Sequence, residues 1–308
     1  MKLLITGASG LLGVNLAVEA MRAHEVIGVD RGKLKSAPFQ VIQADLLEGS
    51  VINSIMDASQ PDWLIHCAAL ANLEQCEEHP DHARILNTEI PGELANICAK
   101  KDIRFVHIST DSVFDGTKES IYLEEDEPSP PGVYSRTKLE GERAVQKANP
   151  QAIIARVNFY GWSLGARRSL GEFFVNNLRE GKSVHGFSDV IFCPMLVNDT
   201  ARLLLEMLQK GLSGLYHVVG AQAMSKYQFG LEVARTFGLS ENLISPQSVE
   251  NSSLTAKRSH NLWLSTHKLS TDLGHEIPPF STGLAEFYTQ FQQGYPQKIG
   301  SYQHFAAF

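Results

Sequence analysis

The 308-residue chain predicts an α/β protein, a doubly wound parallel sheet followed by a smaller α/β C-terminal lobe. Three observations predict it. Short apolar runs alternate with helix-like stretches through the first half, the pattern of parallel strands joined by right-handed crossovers. The runs are almost continuously apolar, as strands buried on both faces require. A glycine-spaced turn, Gly7-Ala8-Ser9-Gly10-Leu11-Leu12-Gly13, joins the first run to the first helix.

Residues 3–5, 26–29, 40–44, 63–65, 105–108 and 153–155 read as strands. Residues 11–22, 50–58, 83–100 and 133–148 read as the helices between them. Beyond about residue 157 the pattern loosens. A loop is expected over 161–165, helices near 171–179, 199–209, 226–237 and 282–292, and short strands at 214–219 and 262–264. No repeat, low-complexity segment or Pro/Ser/Gly-rich linker marks a boundary.

Composition excludes several functions. Hydrophobic residues make up 43% and charged residues 20%, ordinary for a chain that buries a large core. No apolar run approaches the roughly 18 residues of a membrane span, and MKLLITGASG turns polar too soon for a secretory signal. Acidic residues outnumber basic ones 34 to 27, with no dense Lys/Arg cluster, so neither nucleic acid nor an anionic membrane is an expected partner. Cys67, Cys76, Cys98 and Cys193 form no CxxC and no zinc-like spacing. They read as reduced thiols of a cytoplasmic protein, and no metal is expected.

The glycine turn carries the first functional signal. Gly7 permits the tight turn, Gly10 lets backbone approach a pyrophosphate, and Gly13 lets the helix pack close to the sheet. The helix then offers free N–H groups and its positive dipole end to phosphates, with Ser9, Leu11 and Leu12 part of the cradle. Asp30 ends the second strand, where a carboxylate accepts hydrogen bonds from an adenosine ribose. Asp45 with Leu46 follows the third strand, positioned either to reach an adenine amino group or to cap the next helix. Ala68 and Ala69 end the fourth strand with small side chains that leave room for a cofactor. The fold is therefore Rossmann-like. Residues 1–157 read as the dinucleotide-binding domain, rejoined by parts of about 187–222, and 158–308 as mainly a substrate lobe.

Asp30 would repel a 2′-phosphate, which favours NAD(H), whereas Arg31 and Lys33 follow at once and keep NADP(H) usable.

Tyr134-Ser135-Arg136-Thr137-Lys138 is a YxxxK on a predicted helix, so phenol and ammonium share a face. An ammonium nearby would lower the tyrosine pKa and ready it for proton transfer. The lysine has further donors for ribose hydroxyls. Ser109 and Thr110 leave the fifth strand at its C-terminal end, where ligands collect in such sheets. On chemistry alone, either hydroxyl is a candidate partner for a substrate carbonyl.

With TGASGLLG at 6–13, ISTDSVFDGT at 108–117 and YSRTKLEGE at 134–142, the chain resembles an extended short-chain dehydrogenase/reductase. Within that superfamily it is most similar to the dTDP-4-dehydrorhamnose reductase group of sugar-nucleotide 4-keto reductases. Weaker echoes at Asn87-Thr88 with Pro91, and at Arg258 through Leu269, extend the likeness to almost the full length. The resemblance implies an NAD(P)-dependent oxidoreductase with Thr110, Tyr134 and Lys138 as the triad. It implies a nucleotide-sugar substrate, with Asn158 and Phe159 near it and Arg156 in the same segment, and leaves room for a homodimer.

The sequence departs from the group's pattern in places. The run Asp189 to Met195 keeps only Asp189 and Pro194 of a characteristic segment, and Asn15 stands where some members carry a magnesium-binding glutamate. Ser112 occupies the position of the glutamate of 4,6-dehydratases and the cysteine of epimerase-reductases, which disfavours both chemistries. Two alternatives remain within the resemblance: a simple NAD-dependent epimerase, and a non-catalytic regulatory subunit such as the one that partners methionine adenosyltransferase.

Overall fold

The computed structural model describes residues 1–32, 34–48, 50–252 and 257–303. Its main sheet has seven strands: β1 (Lys2–Thr6), β2 (Glu25–Asp30), β3 (Gln40–Gln43), β4 (Trp63–His66), β5 (Arg104–Thr110), β6 (Ile153–Val157) and β7 (Gly214–Val218). They lie in the order β7-β6-β5-β4-β1-β2-β3, all parallel. The order reverses beside β1, so this is the expected Rossmann-like doubly wound sheet, with its crevice at the C-terminal strand ends.

Helices α1 (Leu11–Ala20), α2 (Val51–Ser59), α3 (Ile90–Lys100), α4 (Val133–Ala148), α5 (Leu170–Arg179), α6 (Val197–Gln209), α7 (Lys226–Phe237) and α8 (Phe280–Gln292) follow in chain order. Alternate strand residues feed two cores, as a strand's two-residue period dictates. Leu3, Ile5, Val106 and Ile108 pack with Leu16 of α1 and Leu204 of α6. Leu4, Leu64, Phe105 and Ile154 pack with Ile55 of α2, Leu94 of α3 and Val145 of α4. A third, aromatic core holds the later lobe together. Trp162 stacks on Phe287 at 4.2 Å between ring centres, and its indole N–H donates to the Phe287 carbonyl at 3.1 Å. Asn15 joins this lobe to α1: its Nδ2 donates to Leu11 O and Trp162 O, and its Oδ1 accepts from Tyr295.

Some sequence expectations needed correction. The helix over 83–100 is interrupted: Pro80–Arg84 leads into a π turn at Ile85–Glu89 before α3 begins. Residues 262–264 form no strand. Single bridges at Asn261 and Leu264 tie this segment to Ile191 and Tyr122. The strand at 214–218 adds to the main sheet beside β6. Among the described residues, no helix is long and apolar enough to cross a membrane.

Candidate active site

Gly7, Cys67, Asp111 and Asn158 directly follow β1, β4, β5 and β6, so the predicted residues gather along one edge of the sheet. At β1 the chain turns through Gly7 with φ +67, a conformation L side chains rarely adopt. A Cβ there would also approach Ala68 N to 2.7 Å. The Gly10 N–H closes the turn on Gly7 O at 2.9 Å. A Cβ at Gly13 would collide with the Gly7 carbonyl, so only glycine lets α1 start this close. Gly10 caps α1 without a side-chain hydrogen bond. The first-turn N–H groups of Leu11, Leu12 and Gly13 therefore meet no capping side chain, which suits a pyrophosphate. An uncapped helix start behind a turn that leaves no room for a Cβ at Gly7 or Gly13 fits a dinucleotide.

The buried Asp30 carboxylate accepts the Ser9 N–H at 3.1 Å, binding the end of β2 to the glycine turn. The exposed Arg31 guanidinium lies 3.8 Å from Asp45, which also accepts the Leu47 N–H at 3.1 Å. Asp45 thus closes the turn that follows β3 and does not cap α2, whose N-cap is Ser50. Leu46 is buried in the core. Lys33 lies outside the described residues. Ala68 and Ala69 are half-buried, and the Ala68 N–H donates to Thr6 Oγ1 at 3.4 Å.

Thr110 ends β5, Tyr134 lies in the first turn of α4, and Lys138 comes one turn later. The two hydroxyl candidates separate here. Ser109 donates to the buried Glu142 at 2.5 Å, away from Tyr134. Thr110 is the hydroxyl that acts on the Tyr134 phenol, favouring its ionised form. Thr110 Oγ1 donates to Asp111 at 3.1 Å and accepts the Ser112 N–H at 3.1 Å. Asn158 Nδ2 donates to Asp111 Oδ2 at 2.5 Å, which fixes Asn158 against the same carboxylate, while Phe159 is half-buried beside it. Burial raises the Asp111 carboxyl against these hydrogen bonds and the nearby Lys226. Ser112 Oγ donates to Asp111 at 3.2 Å.

The expected lowering of Tyr134 by Lys138 is absent. Burial, with Asp111 and Cys76 nearby, pushes the phenol up to about 12, and the Thr110 hydrogen bond opposes it. The Lys138 ammonium reaches inward instead, donating to Ile108 O at 2.6 Å and lying 3.4 Å from His107 Nε2. Burial lowers Lys138 to about 8, with Glu142 opposing.

Arg156 stands apart from the edge. It forks onto Glu142 with Nε at 3.0 Å and Nη2 at 2.8 Å, with both side chains buried, and lies over the Phe114 ring. Sequence reasoning missed Glu142, His66 and His107. The available signal was a polar residue inside otherwise apolar strands, WLIH and FVHIST. It also left Lys226 unassigned, whose ammonium lies near Asp111 and Arg258.

The edge and its sheet define a Rossmann-like α/β protein with a hydroxyl, a phenol and an ammonium grouped across from a phosphate-type turn. The chain belongs to the RmlD substrate binding domain family, whose model matches residues 1–293. It is 32% identical over 292 residues to the "Probable low-salt glycan biosynthesis reductase Agl14" of Haloferax volcanii, covering 93% of this chain and 97% of that one. It is also 32% identical to methionine adenosyltransferase 2 subunit beta of Bos taurus, covering 92% of this chain and 86% of that one. A crystal structure of a dTDP-4-dehydrorhamnose reductase from Clostridium acetobutylicum superposes with a TM-score of 0.84 at 28% identity, over 95% of this chain and 100% of that one. The resemblance carried by residues 6–13, 108–117 and 134–142 stands at the level of this family.

Proposed function

We propose that this protein reduces the 4-keto group of a nucleoside-diphospho-4-keto-6-deoxysugar with NAD(P)H, NADH being favoured, by short-chain dehydrogenase/reductase chemistry. The observation that carries this reading is the grouping of three residues on the strand edge that also bears the glycine turn: Thr110 at the end of β5, Tyr134 in the first turn of α4, and Lys138 one helical turn later. Gly7 to Gly13 would hold the pyrophosphate and Asp30 the adenosine ribose, with Arg31 drawn toward Asp45. Lys138 would hold the nicotinamide ribose hydroxyls. The bound cofactor supplies a hydride to the sugar C4. Tyr134 gives its phenol proton to the C4 oxygen as that oxygen gains charge, and Thr110 orients the two oxygens. Ketone plus hydride plus proton balances to the alcohol.

Burial keeps Tyr134 in the form that the reduction needs. A phenol held at about 12 is protonated at neutral pH, ready as a donor.

The test is oxidation of NADH and NADPH by the purified protein with a panel of such keto sugars, generated by a 4,6-dehydratase. A second reading follows from the equal identity to an adenosyltransferase subunit: a non-catalytic regulatory partner. No turnover across the panel, with co-purification of another enzyme, would favour it.

A further inference from the structure

Thr6, His66 and His107 stand side by side on β1, β4 and β5, in register across three neighbouring strands. Their side chains share the face that α4 covers. Thr6 Oγ1 lies 2.7 Å from His66 Nδ1 and accepts the Ala68 N–H, so its own hydrogen is available for the ring. The His66 and His107 rings stack at 5.8 Å with 20° between planes. His107 Nε2 then meets Lys138 Nζ at 3.4 Å. A buried polar row thus runs from the glycine turn to Lys138.

His107 is fully buried, and its Nδ1 has no partner among the described residues. Its one hydrogen-bond contact among the described residues is Lys138. The Glu142 carboxylate, whose charge acts on Lys138, is committed to Ser109 and to both arms of the Arg156 fork. Desolvation, with the Lys138 charge adding to it, holds His107 well below the usual histidine range, so the ring is neutral.

We propose that His107 is a positioning residue for Lys138: its neutral ring accepts one ammonium N–H at Nε2 while the Ile108 carbonyl accepts a second. The third N–H is then fixed in direction for the vicinal hydroxyls of a ribose. A neutral acceptor does this without cancelling the ammonium's charge, as a carboxylate would. The role rests on the reading of Lys138 as a ligand-holding residue.

Nitrogen-15 NMR of histidine-labelled wild-type protein reads the tautomer directly. His107 should be the Nδ1–H form, with an Nε2 resonance that moves in Lys138→Met. An Nε2–H or doubly protonated ring would overturn the proposal, with no His107 variant needed. His107→Phe should weaken NADH binding on the order of tenfold or more, the scale of a hydrogen bond to a charged group. His107→Gln, whose amide oxygen can replace Nε2, should restore affinity to within about threefold of wild type. Wild-type affinity in a folded His107→Phe would overturn the proposal, and so would a His107→Gln as weak as the phenylalanine variant. Both readouts are taken without sugar. A protein that binds NADH but reduces no keto sugar would sink the proposed reaction and leave this test standing.

Discussion

If Lys138 must be charged to hold the cofactor, activity should fall as pH rises through about 8. Burial lowers this lysine from 10.5 to about 8, so the folded protein releases its proton far earlier than the unfolded chain does. The ammonium fraction then drops from about 90% at pH 7 to about 10% at pH 9. Tyr134, held up at about 12, stays protonated throughout and cannot produce this limb. His66, at about 3, titrates far below the window, and His107 is also held well below its ordinary value. The assay is kcat/KM with respect to NADH from pH 6 to 10 at constant ionic strength, because that ratio reports groups of the free protein. A loss of about tenfold per unit is expected above pH 8. The stability linkage has the opposite sign. Between about 8 and 10.5 the unfolded chain binds the proton and the folded one does not, so this group's contribution to stability rises with pH. The rise is about 3 kcal/mol over the window. It should appear as a difference between wild type and Lys138→Met in urea denaturation at pH 7 and pH 10. Activity flat to pH 9.5, together with a wild-type–mutant difference independent of pH, would refute the assignment of a depressed, charge-dependent lysine.

Three further outcomes are expected. Tyr134→Phe should lower kcat by at least about 10²-fold, the scale of a lost general acid, with NADH affinity nearly unchanged; near-normal turnover would remove Tyr134 from the chemistry. Wild type should prefer NADH modestly in kcat/KM and lose that preference in Asp30→Ala; a wild-type preference for NADPH of tenfold or more would make Arg31 the dominant determinant. Glu142→Gln leaves the buried Arg156 guanidinium without its counter-charge and should cost about 3–5 kcal/mol, read as a lower urea midpoint. A change under about 1 kcal/mol would mean that relaxation or water replaces the pair.

The parts of the molecule that the sequence made legible are those whose physics is local. The strands of the first half show as apolar runs because both of their faces are buried. The glycine turn shows because Gly7 sits at positive φ and Gly13 leaves no room for a Cβ, constraints that one residue type satisfies. The YxxxK shows because four residues make one helical turn. What stayed hidden depends on residues far apart in sequence. Ser109 and Thr110 are chemically equivalent in isolation, and only the covering helix separates them, giving Ser109 to Glu142 and Thr110 to Tyr134. Spacing puts Lys138 one turn from Tyr134 but does not set the direction of its ammonium. The expectation assumed an ammonium facing the phenol, whereas the Ile108 carbonyl and the His107 ring lie beneath it and draw it into the sheet. A row such as Thr6, His66 and His107 has no spacing signature, because its members come from three strands and meet only through sheet register. Each alone reads as a polar residue near a strand end. Parallel strands need crossovers of many residues, so the polar contacts that tune such a site are non-local by construction. Sequence therefore exposes the groups that touch a ligand sooner than the neighbours that set their charge and direction.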